Sequence, residues 1–244
     1  MQYATVIDLG CADGHFFVEQ YLRGLFAQSV PVNIDANALY EPSLRSIQEV
    51  FGGHYRIAAV SDENGGVELT TSIHPYWSSL RDSGDFYWER INKLTSGVQI
   101  VPAIRLDDLA AELRLAPPYL LKLDIQGAEV QALRGAKQVL SETNVIICEA
   151  DLADFQAINA EITGAGFNLF DITNLSYAAD QYLGWFYPVY LHARLANVVE
   201  AKFWPAAENE AVIQFQEARR RQILKQLAQV LPQIKAARTP RPSG

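Results

Sequence analysis

The stretch Val6-Ile7-Asp8-Leu9-Gly10-Cys11-Ala12-Asp13-Gly14 constrains this chain more than any other. Two β-formers run into an acid, two glycines bracket a tight turn, and an apolar helix pattern follows from Phe16. A strand, a turn and a helix opening this close together begin a doubly wound α/β domain that holds a nucleotide-like ligand. The glycines admit backbone angles closed to other residues and let the chain pass near a ligand. The free amides at the helix opening face an anionic group.

The pattern is Asp-x-Gly-x-x-x-Gly rather than Gly-x-Gly-x-x-Gly. Ala12 stands where the second glycine would admit a pyrophosphate, and His15 where the third would let helix and strand pack closely. A ligand presenting a carboxylate and an amine, as S-adenosylmethionine does, suits such a loop better. Taken alone the motif serves equally as a plain βα turn.

The rest of the chain alternates strands and helices. A helix is expected over 15–27, with Phe17, Val18, Tyr21, Leu22 and Leu25 on a buried face. A strand over 30–34 ends on Asp35, which lies about twenty residues past the glycine turn, the spacing of an acid that accepts ribose hydroxyls. A helix from Glu41 carries the stripe Leu44, Ile47, Val50 and Phe51 and stops at Gly52-Gly53. A strand over 55–60 runs into Ser61-Asp62, a polar pair where an adenine edge would lie. Asn64-Gly65-Gly66 then reads as a turn, with 67–70 as a hairpin partner. Residues 72–97 have no clean period and hold Tyr76, Trp77, Phe86, Tyr87 and Trp88, as a lid or acceptor loop would. Further strands are expected over 98–104, 119–124, 145–149, 167–171 and 189–193, and helices after Arg105, Gln126 and Asp151. A second aromatic loop holds Tyr177, Tyr182, Trp185 and Phe186. The region 208–231 reads as an amphipathic helix with Val212, Phe215, Ile223, Leu227 and Leu231 apolar, a face for the domain or for a second copy in a homodimer.

Composition narrows the classes. Apolar residues make up 49% of 244, enough to fill the core of one α/β domain. No run of eighteen apolar residues occurs, so no membrane span is expected. The chain starts almost directly in a strand, so no leader is expected either, and two isolated cysteines, Cys11 and Cys148, fit a reducing cytoplasm. A net charge of −8 disfavours nucleic acid as a partner. The basic residues Arg219, Arg220, Arg221, Lys225, Lys235, Arg238 and Arg241 read first as a solvated helix face and loose tail, ahead of an acidic partner or a membrane surface.

Lys122-Leu123-Asp124-Ile125-Gln126-Gly127-Ala128-Glu129, then Leu133-Arg134-Gly135-Ala136, resembles the signature of the FkbM-type methyltransferases. Arg105-Leu106-Asp107-Asp108-Leu109 upstream and the opening Val6–Gly10 agree in order and spacing. The resemblance spans roughly residues 4–193. It implies a class I, Rossmann-like fold: a doubly wound, mostly parallel seven-stranded sheet whose last strand is antiparallel. It also implies S-adenosylmethionine as cofactor and O-methylation of a hydroxyl on a sugar, glycan intermediate or natural product. The chain departs from the family pattern at Cys11-Ala12-Asp13 and at Tyr40-Glu41-Pro42, which leaves Asp35 or Glu41 as the ribose acid; strand position favours Asp35. Three parts are expected: a domain over 1–200, a helical extension over 201–235 and a tail over 236–244.

In that layout Asp8, Gly10, Cys11, Asp13 and Gly14 border the amino-acid end of the cofactor, Asp35 the ribose, Ser61 and Asp62 the adenine, and Asp124 the methyl group. An alcohol needs its proton removed as it attacks, so a positioned base is expected, worth about 10²–10⁴-fold. Asp124 is the first candidate as base or hydroxyl-orienter, followed by Glu129 and Glu149. Glu129 serves equally as a helix cap. Asp107-Asp108 at a helix start reads as a cap, so no metal is expected.

Overall fold

The computed structural model describes residues 3–72, 95–178 and 182–195, with positions 214, 217–222, 225 and 228 of a C-terminal helix. Contacts divide the chain into two units, Met1–Ala196 and Asn197–Gly244.

The first unit begins with β1 (Thr5–Leu9), α1 (His15–Leu22), β2 (Val30–Asp35), α2 (Glu41–Phe51), β3 (His54–Ile57), β4 (Ala59–Val60) and β5 (Gly65–Ser72). There follow β6 (Thr95–Ile104), α3 (Leu106–Leu113), β7 (Tyr119–Leu123), α4 (Glu129–Arg134), α5 (Lys137–Glu142), β8 (Thr143–Cys148), β9 (Ala150–Asp151), α6 (Phe155–Gly164), β10 (Phe167–Ala178) and β11 (Tyr182–His192). The main sheet runs β3-β2-β1-β7-β8-β11-β10, with short β9 beside β11. β3, β2, β1, β7 and β8 pair in parallel, while β11 lies antiparallel to both β8 and β10. This is the expected Rossmann-like sheet with one reversed strand. The order turns back between β1 and β7, and ligands of open α/β sheets bind outside the strand ends at such a switch point.

Both β1 and β7 are buried along their whole length. Layers on both faces of a parallel sheet bury strands in this way, here with the charged Asp8 and Lys122 included. Ile7, Leu9, Leu121 and Leu123 meet Leu106, Leu133, Ile146 and Ile162 in the main core. On the opposite face Phe17 stacks on Phe26 at 5.8 Å and meets the edge of Phe51 at 5.7 Å.

Several local expectations change. α1 ends at Leu22, because Gly24 takes φ +79° and turns the chain. Leu22 and Leu25 are therefore 77% and 65% exposed, and Phe26 fills the place expected of them. Val50, expected in the α2 stripe, is exposed, while Leu44 and Ile47 are buried. The strand expected over 55–60 breaks at Ala58, whose amide donates to the Asp35 carbonyl. β4 leaves the main sheet and joins a second one of order β4-β6-β5. β5 does not fold back on β4; it pairs with β6 across a 22-residue separation in which residues 73–94 lie outside the described residues. The expected irregular loop over 72–97 thus has strand at both ends, and its aromatics lie outside the described residues. The expected second aromatic loop is a long hairpin: Tyr177 belongs to β10, and Tyr182, Trp185 and Phe186 to β11. In the second unit the described helical positions 214, 217–222, 225 and 228 are all exposed, and Val212, Phe215, Ile223, Leu227 and Leu231 lie outside the described residues. Among the described residues no helix is long and apolar enough to cross a membrane.

Candidate active site

Backbone hydrogen bonds step along the carboxyl edge of the sheet. Gly10 N donates to Ile34 O (2.8 Å), Asp124 N to Leu9 O (3.0 Å), and Glu149 N to Leu123 O (2.7 Å). These bonds put the ends of β2, β1, β7 and β8 in one row, with Asp35, Asp8, Asp124 and Glu149 along it.

Side chains knit the row together. Lys122 Nζ donates to Asp8 Oδ1 (3.1 Å) and Asp124 Oδ2 (3.3 Å). Gln126 Nε2 donates to Asp124 Oδ1 (3.0 Å) and to Glu149 Oε2 (2.5 Å). The Tyr187 hydroxyl, from β11, lies 2.8 Å from Asp124 Oδ2 and 3.4 Å from Glu149 Oε1. The turn between β7 and α4 bends sharply, with Gln126 at φ +56° and Gly127 at φ +103°. Glu129, 4% exposed, holds that bend by accepting from the amides of Ile125 (3.2 Å) and Gly127 (3.0 Å). Its carboxylate caps the turn on which Asp124 and Gln126 are mounted.

Burial and neighbours give these acids unlike proton affinities. Burial works against charge on Asp124, but Lys122, the Glu149 carboxyl, Tyr187 and Gln126 together hold it below the usual aspartate value. Glu149 moves the other way: burial, then the Asp124 charge and their hydrogen bond, raise it well above the ordinary range. Burial pushes Glu129 up to about 7, against the pull of the backbone amides. Burial also raises Asp8, with Lys122 opposing. Lys122 stays charged, since Asp8 and Asp124 outweigh its desolvation. One ammonium among so many buried carboxyls cannot neutralise them all, so protons make up part of the difference.

The glycines have a reason other than ligand approach. A Cβ on Gly10, at φ +70°, would lie 1.8 Å from the Asp124 carbonyl oxygen; one on Gly14, at φ +79°, would lie 2.3 Å from Ile47 Cδ1. The turn is pressed between the β7 tip and α2. Cys11 points into the core with Ala12, Tyr40, Leu44 and Ile47. Asp13 is half-buried and pairs with the His15 ring at 2.8 Å. Asp35 accepts from Ala12 N and Asn37 N, each at 2.8 Å, and so ties the glycine turn to the β2 tip. Ser61 and Asp62 make their contacts elsewhere. The Ser61 carbonyl packs against Gly135, and Asp62 lines an open pocket of about 690 Å³ with Glu63, Asn64, Arg105, Arg134, Lys137 and Glu161.

The residue set accommodates an adenosyl sulfonium cofactor on one specific count. Asp8 Oδ2 and Asn33 Oδ1 are buried acceptors with no donor among the described residues. They belong to register partners on β1 and β2. A ligand carrying an ammonium supplies the donors this edge lacks.

The sequence matches the profile of the Methyltransferase FkbM domain over residues 10–169. The chain belongs to the FkbM methyltransferase family. Among solved structures it is similar to an FkbM methyltransferase from Methylobacillus flagellatus KT, with 14% identity and a TM-score of 0.49, covering 76% of this chain and 43% of that one. It thus spans less than half of that protein. It is also similar to a Streptococcus pneumoniae putative tRNA (m1A22) methyltransferase in complex with S-adenosyl-L-methionine, with 12% identity, a TM-score of 0.44, and coverage of 96% and 92%. A putative O-methyltransferase from Klebsiella pneumoniae shares 9% identity with a TM-score of 0.40, covering 78% of this chain and 74% of that one. No curated protein matches the sequence.

In this FkbM chain Asp8 and Asp124, expected from the sequence, meet at Lys122; Glu149 joins Asp124 through Gln126 and Tyr187, and Glu129 caps the turn that carries them. Two further members of the cluster, Gln126 and Tyr187, were not singled out by sequence reasoning. Gln126 sits inside the octapeptide, where a non-glycine residue before glycine in a polar turn was the available signal. Tyr187 lies 63 residues from Asp124 in a strand whose two faces are both apolar, so no period marks it.

Proposed function

We propose that this methyltransferase uses S-adenosylmethionine to methylate a hydroxyl on a small-molecule or saccharide acceptor. The observation that carries the reading is the row of acids at the switch point, where Asp124 and Glu149 share Gln126 and Tyr187 as neighbours. When bound, the cofactor supplies a methyl group on a sulfonium, already a good leaving group. The amino-acid end falls to Asp8 and the Gly10–Gly14 turn, where Asp8 Oδ2 is without a donor among the described residues. Asp35 keeps one lone pair free on each oxygen and takes the ribose diol.

The protein then has two tasks: to hold the acceptor in line and dry, and to take its proton. Alignment supplies about 7–11 kcal/mol of such a barrier. Asp124 already receives Lys122, Gln126 and Tyr187, so its fixed negative charge orients the acceptor hydroxyl. Glu149, which receives Gln126 but no ammonium, accepts the proton, since burial and the Asp124 charge raise its affinity for one. Glu129 keeps the β7–α4 turn in shape for both.

Calorimetry with S-adenosylhomocysteine tests the cofactor reading: saturable binding is expected, and a folded sample without binding heat overturns it. With an acceptor in hand, Glu149→Gln should lower kcat by about 10²–10⁴-fold. Turnover that survives Glu149→Gln but is lost in Asp124→Asn moves the base to Asp124.

A further inference from the structure

The two edges of the main sheet are unlike. At one end β3 is four residues long and half-buried, and its Arg56 pairs with Glu112. At the other end β10 is twelve residues long and pairs with β11 alone among the described residues. Residues 168–175 of β10 are all exposed, so both faces of the strand meet solvent. Leu169, Phe170, Ile172, Leu175 and Tyr177 are each between 42% and 57% exposed. Sheets commonly protect an edge by keeping it short or charged, and β3 follows that rule. β10 holds one charge, Asp171, which turns back to accept from the Ile172 amide at 2.8 Å.

We propose that β10 is the contact surface for a second copy of this chain, packed about a two-fold axis through Leu169, Phe170, Ile172, Leu175 and Tyr177. Charge selects the partner. The chain carries a net charge of −8, so copies repel at long range, and an almost uncharged strand is where their approach is least opposed. The same neutrality leaves nothing to hold a nucleic acid, an anionic lipid surface or an oppositely charged protein. A two-fold contact needs a patch complementary to itself, and an apolar one with a single acid meets that need. Area agrees. Five half-exposed apolar side chains offer about 400 Å² per copy. A stable interface takes about 800 Å² per partner, a little over half of it apolar, so the strand supplies nearly the whole apolar share.

The backbone sets the mode of contact. One bulge falls at Phe170 and another between Thr173 and Ser176, where Asn174 takes φ +52°. Bulges bend an edge and interrupt the row of groups that a new strand would pair with. Side chains, not a shared ladder, therefore carry the contact. It also reaches inward. Thr173 lies opposite Tyr187 and donates to its carbonyl at 3.2 Å, so a copy seated on β10 backs the strand that presents Tyr187 to Asp124. None of this depends on the methyl-transfer reading.

Sedimentation velocity of the full chain across a concentration series tests the proposal, with a species of twice the 27.2 kDa chain mass expected. Ile172→Lys and Leu175→Lys alter exposed positions and should leave the circular dichroism unchanged. Each enters the contact twice, once from each copy, so either should weaken the dimer about a hundredfold or more. Leu22→Lys, at an exposed apolar residue of α1, should leave the dimer as it was. A monomer at every concentration overturns the proposal. So does a dimer that survives both β10 variants, which places the contact elsewhere, the C-terminal helix included. Where the lysine variants do not fold, amide hydrogen exchange of the parent chain decides: protection over residues 168–177 must rise with concentration. High protection at every concentration means that the strand is covered from within its own chain, and low protection throughout means that nothing covers it; both refute the proposal.

Discussion

Replacing Lys122 with methionine asks what the ammonium does for the strand tips. Its side chain is 10% exposed and lies between Asp8, 1% exposed, and Asp124, 21% exposed. Removing one partner of a buried ion pair costs about 3–5 kcal/mol, since the remaining charge is left uncompensated. Asp8 carries the larger share: its Oδ2 has no donor and its Oδ1 loses the one it has among the described residues. Asp124 keeps Tyr187 and Gln126 and some solvent. A loss of about 3–5 kcal/mol at neutral pH is therefore expected in urea unfolding. The double variant Lys122→Met/Asp8→Asn should recover a large part of it. The pH dependence has a definite sign. Without the ammonium both folded-state pKa values rise above their unfolded values, so the deficit is greatest at neutral pH. It shrinks as the pH falls and the two acids take up protons. A deficit below about 1 kcal/mol, or one that grows toward acid, would refute the account of a single cation holding two acids at the strand tips.

Gly10→Ala should prevent folding or abolish S-adenosylhomocysteine binding, since its Cβ would sit 1.8 Å from the Asp124 carbonyl; circular dichroism and calorimetry check it. Glu129 is pushed up to about 7, so its contribution to stability is complete below the unfolded-state value near 4.5 and is lost as the pH rises through 7. Glu129→Gln should remove about 3–4 kcal/mol of the stability change between those limits in urea titrations, and an unchanged slope counts against it. Arg194 donates to the carbonyls of Ser141 (2.5 Å) and Thr143 (2.7 Å) and to Asn144 Oδ1 (2.9 Å), pinning the chain after β11 to the start of β8. As an exposed side chain it should cost only about 1 kcal/mol when replaced by alanine, with faster amide exchange confined to the start of β8.

How much of this was legible from sequence depended on how local the cause was. The β1 turn, the β7 octapeptide and the acids at the tips of β2, β7 and β8 are contiguous signals, and the sheet order follows from their alternation with helices. The end of α1 was hidden because Gly24 acts through one backbone angle, while the apolar spacing of Leu22 and Leu25 continues past it. The turn at Asn64-Gly65-Gly66 pointed to β4 as the partner of β5, yet the pairing was decided by β6, beyond a long intervening segment. β11 reads as unbroken apolar sequence because both its faces are covered, so Tyr187 carried no mark of its own. The glycines were legible as a turn but not as a packing necessity, which depends on a carbonyl more than a hundred residues away.

That carbonyl has a mechanical consequence. The Gly10 turn bears directly on the Asp124 backbone, and the Asp124 amide is tied in turn to Leu9. No compliant spacer separates the part of the molecule assigned to the methyl donor from the part assigned to the acceptor. A displacement imposed on the turn at one end of this seam is handed to the carboxylate at the other. On the proposed reading, seating a donor at the turn would bear directly on the carboxylate that meets the acceptor.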